Sequence, residues 1–323
     1  MGAPSRGRLM RRLVLRRAVA FAATVFVVSV LVFVVIRVLP GDPALLIMGT
    51  EASPEAAAAL RKAMGLDRPL VVQYGEWLAG AVRGDLGRSI QYDVPVGSLI
   101  LSRLHVTLPL TLLAAVFMTA TALPLGMYAA THHRRLGDYV AMVVSQLGIA
   151  IPSFWAGLLL ILLFAVRLGW VQAGGFDGWQ AGVGRGLRSL LLPALALGVI
   201  QAAILTRTTR SAVLEVLRAE HVRTARAKGL AEGVVTWKHV FRNALITIVT
   251  IVGLQLGQLM AGSIVLENVF YLPGLGRLAL SAIGARDLPV VQGVVLFVAV
   301  TIVTLNFVVD LLYGLLDPRI RYE

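Results

Sequence analysis

The chain carries few groups able to do covalent chemistry, and their spacing excludes most enzymes. Its only lysines are Lys62, Lys228 and Lys238, none follows a glycine, and no G-x-x-x-x-G-K-[ST] run exists to cradle a nucleotide phosphate. His105, His132, His133, His221 and His239 form no H-E-x-x-H pair; neighbouring His132 and His133 would face different ways on a helix, which predicts a surface or membrane-interface role. The sequence has no cysteine, so thiol catalysis, disulfides and iron–sulfur ligation are excluded together. The serines and aspartates show no nucleophile or paired-carboxylate arrangement. A chain of this kind is expected not to be an enzyme and to bind no metal or cofactor itself.

What remains is uncharged polarity inside apolar runs. Gln146, Ser153, Gln201, Gln255, Gln258 and Thr301 are candidates to line a translocation pathway, because amides and hydroxyls offer donors and acceptors to a solute without the cost of charge. Thr247, Thr304 and Asn306 carry the same ambiguity: such groups also bond between helices, while nearby glycines let backbones approach. Thr247, Gln255, Gln258 and Gly262 fall near one helical face, with Gly253 and Gly257 offset from it.

The elements that must position these groups are membrane helices. Over 323 residues the hydrophobic content is 58% and the mean hydropathy +0.81, against roughly 45–50% apolar residues in a soluble domain. Six runs, 18–36, 106–131, 139–166, 189–206, 243–266 and 288–309, each contain no Asp, Glu, Lys or Arg and can cross a hydrocarbon core, which takes about 20 helical residues. Helices are the only fit, since an open strand would leave its amides unpaired in lipid. The absence of charge argues against an ion-coupled carrier, which keeps ionisable groups inside its spans for function. The predicted fold is an all-α integral membrane protein with six spans at 18–38, 106–131, 139–168, 189–206, 243–266 and 288–310.

The net charge of +13 comes from basic residues beside apolar spans, a pattern of membrane orientation and not of nucleic-acid binding. Arg6, Arg8, Arg11, Arg12, Arg16 and Arg17 put the N-terminus, 1–17, in the cytoplasm. The first run is too long for a signal peptide and lacks a small-x-small cleavage site, so it reads as an uncleaved anchor, with Arg37 snorkelling outward. The basic turn His132 to Arg135 is cytoplasmic as well. Counting spans then places 39–105, the glycine-rich 169–188 and 267–287 outside, and 207–242 and the tail 311–323 inside.

Two helices are predicted in the first outer segment. One begins at Ser53 and Pro54 as N-cap and first residue and stops at Gly65; the other carries Leu70, Tyr74, Trp77 and Ala81 and stops at Gly84. Pro109 and Pro124 lie in the second span. In the third, Pro152 interrupts the backbone ladder and the Ser153 hydroxyl is placed to rescue it. The inner loop reads as one helix over 212–228, dense in Leu, Ala, Glu and Arg, ended by Gly229 in a left-handed cap. A second helix follows, with Val234, Trp237, Phe241 and Leu245 as an apolar stripe running into the fifth span.

HVRTARAKGL at 221–230, followed by FRNAL at 241–245, resembles the coupling loop of ATP-binding-cassette importer permeases of the dipeptide, oligopeptide and nickel group. LPGDPA at 39–44, GDLGRS at 84–89, IPSFWAGLLLILLF at 151–164, YLPGLGR at 271–277 and VVDLLYGLLDPRIR at 308–321 are similar to the same family. The resemblance implies a permease domain over about 103–317. It implies that Arg223, Thr224, Ala225, Arg226, Ala227, Lys228, Gly229 and Leu230 seat in a cleft of an ATP-hydrolysing subunit. It further implies as partners a second homologous permease, two ATP-binding subunits that hold ATP and Mg, an extracytoplasmic solute-binding protein and the lipid bilayer, with no nucleic acid. The substrate class so implied is a di- or oligopeptide, with nickel or another small solute as the alternative. Two positions depart from the pattern: Arg223, Thr224 and Ala225 stand where the signature has Glu-Ala-Ala, and Thr247 where the subgroup often has Pro.

Overall fold

The computed structural model describes residues 6–38, 53–63 and 65–316. LPGDPA at 39–44, the side chain of Arg37, and Arg319 and Arg321 with the end of the tail lie outside the described residues. Among the described residues the regular structure is helical apart from one isolated bridge between Arg88 and Pro95. Its helices are α1 (Arg6–Val38), α2 (Pro54–Ala63), α3 (Leu70–Val82), α4 (Val96–Thr131), α5 (Leu136–Ala150), α6 (Ser153–Leu160), α7 (Val183–Leu217), α8 (Glu220–Ala227), α9 (Arg242–Val269), α10 (Leu275–Gly284) and α11 (Leu288–Leu316). A π-helical segment, Ile161–Arg167, extends α6; a single turn, Glu232–Val234, and a second π-segment, Val235–Phe241, lead into α9. Among the described residues five continuous apolar stretches are long enough to cross a membrane, and the pair α5 and α6 makes a sixth if taken together.

That pair covers the expected third span, with the break at Pro152. The two halves are bent by 102°. A residue before proline is pushed out of the helical region, and Ile151 accordingly sits at φ −88°, ψ 123°. Pro152 then starts α6 with φ −62° and its carbonyl accepts from the Ala156 N–H at 3.0 Å. The break is a clean stop and restart, with no side-chain cap at the entry to α6. By contrast α4 runs through Pro109 and Pro124 without interruption and begins ten residues before the expected span, at Val96.

The chain divides into two compact units. The first lies within Met1–Val106 and Pro273–Val303. Here Phe33 of α1 packs on Tyr74 and Trp77 of α3, with ring centroids 5.4 and 5.9 Å away, and the Ser29 and Tyr74 hydroxyls share a hydrogen bond of 2.7 Å. The α2 start is capped by Ser53, whose Oγ accepts from the Ala56 N–H. The Asp287 carboxylate, 1% exposed, gathers the loop after α3: it accepts from the Ser89 hydroxyl (2.5 Å) and from the N–H groups of Ile90 and Gln91 (3.1 Å each). The same carboxylate caps α11 through the Val290 N–H at 3.5 Å. The expected outer loop 267–287 thus contains a helix, α10, whose Leu275, Leu278, Ala279 and Ala282 are buried.

The second unit lies within Thr107–Leu272 and Thr304–Glu323, with α7 and α9 at its centre and α5 and α6 packed on α7. Small residues set the spacing: Ala194, Ala196, Ala202 and Ala203 of α7 are buried, and a Cβ at Gly253 of α9 would lie 2.0 Å from Val309 Cγ2. α9 continues past the expected limit of 266, and Glu267, 0% exposed, accepts from the Thr107 hydroxyl at 2.6 Å. One carboxyl group therefore lies inside a helix whose sequence run appeared free of charge.

Candidate functional site

The inner loop differs from the single helix predicted over 212–228. α7 persists to Leu217, the chain turns at Arg218 and Ala219, and α8 begins at Glu220. No glycine or proline marks the break; burial overrides propensity. Ala212 and Val213 point α7 into the core, whereas Val222 (0% exposed) and Ala225 (5%) bury the inner stripe of α8, and no one straight helix places both.

The far end of α8 follows from Gly229. It takes φ +75°, a left-handed conformation that costs glycine nothing. Its N–H donates to the Arg226 carbonyl (2.9 Å), and the next N–H, of Leu230, donates back to Ala225 (3.4 Å). These are the two bonds of a Schellman cap. Arg226 then reaches over the turn to Glu232, with Nε to Oε1 at 2.8 Å and Nη2 to Oε2 at 3.2 Å. Both partners are exposed, so the pair contributes about 0–1 kcal/mol and chiefly sets geometry.

Of the eight predicted docking residues, Arg223, Thr224, Arg226, Ala227, Lys228, Gly229 and Leu230 are exposed. Ala225 is not; it faces the protein. Arg223, standing where the signature has Glu, pairs with Glu220 at 2.8 Å within the helix. The apolar stripe after Gly229 is also rearranged. Val234 and Trp237 are exposed while Val235 and Val240 are buried, because the wider π-turn shifts the inward face relative to a 3.6-residue repeat.

A cluster that sequence spacing did not single out holds α7 on its way to this loop. Asp138, 2% exposed, accepts from Arg210 through Nε to Oδ1 (2.5 Å) and Nη2 to Oδ2 (2.8 Å). It also accepts from the Arg134 N–H (2.9 Å), and His133 Nδ1 lies 3.1 Å from Oδ2. His133, half-buried at the surface, thus touches the Asp138–Arg210 ion pair as well. The signal available in sequence was a lone carboxylate immediately before an apolar run.

Two of the predicted pathway residues come together within the second unit. Gln201 of α7 and Gln255 of α9 meet: Gln255 Nε2 donates to the Gln201 backbone carbonyl at 3.5 Å, and both Oε1 atoms are buried with no hydrogen-bond partner among the described residues. Gln258, Gln146 and Thr247 are exposed elsewhere, and Ser153 is half-buried. Thr301, in the first unit, donates to the Phe297 carbonyl of its own helix. The face predicted for α9 is corrected accordingly: Gly253, Gln255 and Gly257 point inward and Thr247 and Gln258 outward. Where a helix is apolar all round, periodicity cannot separate lipid from protein neighbours. Among the described residues no cluster of His, Asp and Glu could hold a metal ion.

Residues 122–322 match the family model of the binding-protein-dependent transport system inner membrane component. The chain belongs to this family. Residues 10–111 of the permease match the model for the N-terminal part of such membrane components. It is 43% identical over 315 residues to a putative peptide transport system permease protein of Brucella melitensis, covering 98% of this chain and 100% of that one. To the glutathione transport system permease protein GsiC of Escherichia coli K12 it is 42% identical over 314 residues, 97% of this chain and 100% of the relative. Among solved structures, an inward-facing form of the MetNI methionine ABC transporter superposes with a TM-score of 0.55 at 19% identity, over 68% of this permease and 96% of that chain, a likeness of fold. The permease is thus a multi-pass inner-membrane component of a binding-protein-dependent transport system.

Proposed function

We propose that the permease forms half of the pathway of an ATP-driven importer for peptides, and that α8 with its Gly229 cap is the part gripped by an ATPase. One observation carries the coupling role: α8 buries Val222 and Ala225 on one side, while its other faces, rich in cations, are exposed at a turn locked by two backbone bonds and the two-pronged Arg226–Glu232 pair. A helix held in this way can be pushed as a rigid piece, and α7, anchored through Arg210 to Asp138, receives the push.

The partners under this proposal are a second related permease, two ATPases holding ATP and Mg, and a solute-binding protein on the opposite face. The basic turn at 132–135, α8 and both chain ends are then cytoplasmic. Peptide substrates, glutathione among them, are supported by the relatives' names. The meeting of Gln201 with Gln255 supports a polar contact with a peptide backbone, since amides offer both donors and acceptors without charge. The test is reconstitution of the assembled complex in proteoliposomes with its receptor. Dipeptide or glutathione should raise ATP turnover and accumulate inside; uptake that ignores ATP and follows an imposed ion gradient would overturn the proposal.

A further inference from the structure

One cavity of the second unit lies apart from α8 and from Gln201 and Gln255. It is a groove of about 660 Å³ between the last turns of α4 and the π-segment Val235–Phe241, walled by Leu123, Met127, Tyr128, Trp237 and Phe241 among others. Its size falls in the range of about 300–1,000 Å³ seen for small-molecule sites, and its lining is mostly apolar. Thr119 and Thr131 line it, but their hydroxyls are within bonding distance of carbonyls in their own helix. The groove exists because the π-turn pushes Trp237 outward to 64% exposure, with its ring set edge-on to Phe241 at 5.3 Å.

The flank of the π-segment wall is of opposite character. Lys238 and Arg242, both exposed, each directly follow a wall residue, Trp237 and Phe241, and so form the neighbouring stripe of that segment, while the His132 ring stacks on the wall residue Tyr128 at 4.4 Å. Neither wall contributes a carboxylate: 96–131 and 233–266 contain no Asp or Glu. Of the carboxylates on the adjoining segments, Asp138 is engaged by Arg210 and Glu232 by Arg226. Among the described residues Lys238 and Arg242 have no ion-pair partner.

We propose that this groove binds an anionic phospholipid, one acyl chain lying against Leu123, Met127 and Trp237 and the phosphate resting on Lys238 and Arg242. Basic pockets between membrane helices favour anionic headgroups by about 1 kcal/mol per cation, and an exposed indole at the mouth suits the headgroup boundary. A second copy of this chain seated face to face on the groove would bring Lys238 and Arg242 onto their own kind. This site is independent of the transport proposal and of which leaflet the rim faces.

The test uses the full-length permease in phosphatidylcholine nanodiscs carrying a trace of phospholipid with a photoreactive acyl chain. The phosphatidylglycerol probe should label peptides containing 116–131 and 236–241 about thirtyfold more than the phosphatidylcholine probe. Lys238→Gln with Arg242→Gln should bring the two probes to parity while the elution profile of the protein stays unchanged. Ala120→Phe, which fills the groove from the α4 wall, should abolish labelling there by both. Equal labelling of the unaltered chain by the two probes would overturn the proposal. So would label that maps elsewhere, or a partner protein cross-linking at Trp237 in the assembled importer in place of lipid.

Discussion

Two alanine substitutions four residues apart should change the stability of the inner loop in opposite directions. Gly229 sits at φ +75° and a Cβ there would meet nothing within 4 Å, so Gly229→Ala introduces no clash and only the left-handed backbone opposes it. That conformation costs a residue with a Cβ roughly 1–2 kcal/mol, partly offset by about 0.4–1 kcal/mol of lost freedom in the open chain. The net is about 1 kcal/mol, a roughly fivefold shift towards an uncapped loop. Gly233 lies in the helical turn Glu232–Val234 with a Cβ position equally open and no positive φ. Gly233→Ala should therefore stabilise the loop by about 0.5–1 kcal/mol. Hydrogen–deuterium exchange of the segment 225–235 reads both directly, because the amides of 229 and Leu230 are the ones bonded in the cap. Protection should fall about fivefold in the first variant and rise in the second. In the reconstituted importer the first should hydrolyse more ATP per solute moved. Gly229→Asn should fall between wild type and alanine, since asparagine tolerates this region. Equal protection in the two alanine variants, or unchanged protection in Gly229→Ala, would refute the claim that cap geometry holds α8.

Three further outcomes follow from packing. Asp138→Asn leaves Arg210, 19% exposed, without its counter-charge, and should cost about 3–5 kcal/mol in denaturation of the purified chain; Arg210→Lys should not be equivalent, since it loses the bidentate contact. Gly253→Ala forces a Cβ against Val309 and should destabilise by about 1–3 kcal/mol, with Val309→Ala restoring most of the loss; strictly additive losses would show that the two helices do not touch there. Thr224→Trp, on the exposed face of α8, should leave thermal stability intact and lower the coupling ratio, whereas Ala225→Trp should lower stability itself, which separate unfolding and transport assays distinguish.

The helices were legible where the sequence signal was local. An uncharged run of about 20 residues has one physical reading in this composition, and Ser53 and Gly229 mark a helix start and a helix end by chemistry that acts within a single turn. The misses share a different cause. Arg218 and Ala219 contain no breaker, so the bend before α8 is dictated by what Val222 and Ala225 must pack against. The π-segment before α9 adds a residue to the turn, which put Trp237 on the outside although its spacing pointed inward. Asp138 and Arg210 are 72 positions apart, and nothing local in either predicts the other. The pathway residues were the least legible, because a glutamine on an all-apolar helix carries no mark of which neighbour it faces. Gln255 and Gln258 look alike in sequence, yet one is buried against Gln201 and the other is exposed.

The four donors around Asp287 also bear on how the molecule is made. Ser89 emerges from the ribosome 198 residues before its partner. At about 5–20 residues per second, the hairpin around Ile90 and Gln91 waits roughly 10–40 s, already delivered to its side of the membrane, for the carboxylate that will fasten it. Only when the final helix starts does that acceptor arrive. Nascent chains halted before and after codon 287 should therefore differ in protease sensitivity between Gly84 and Pro95, and closure of that region would be among the last events of biogenesis.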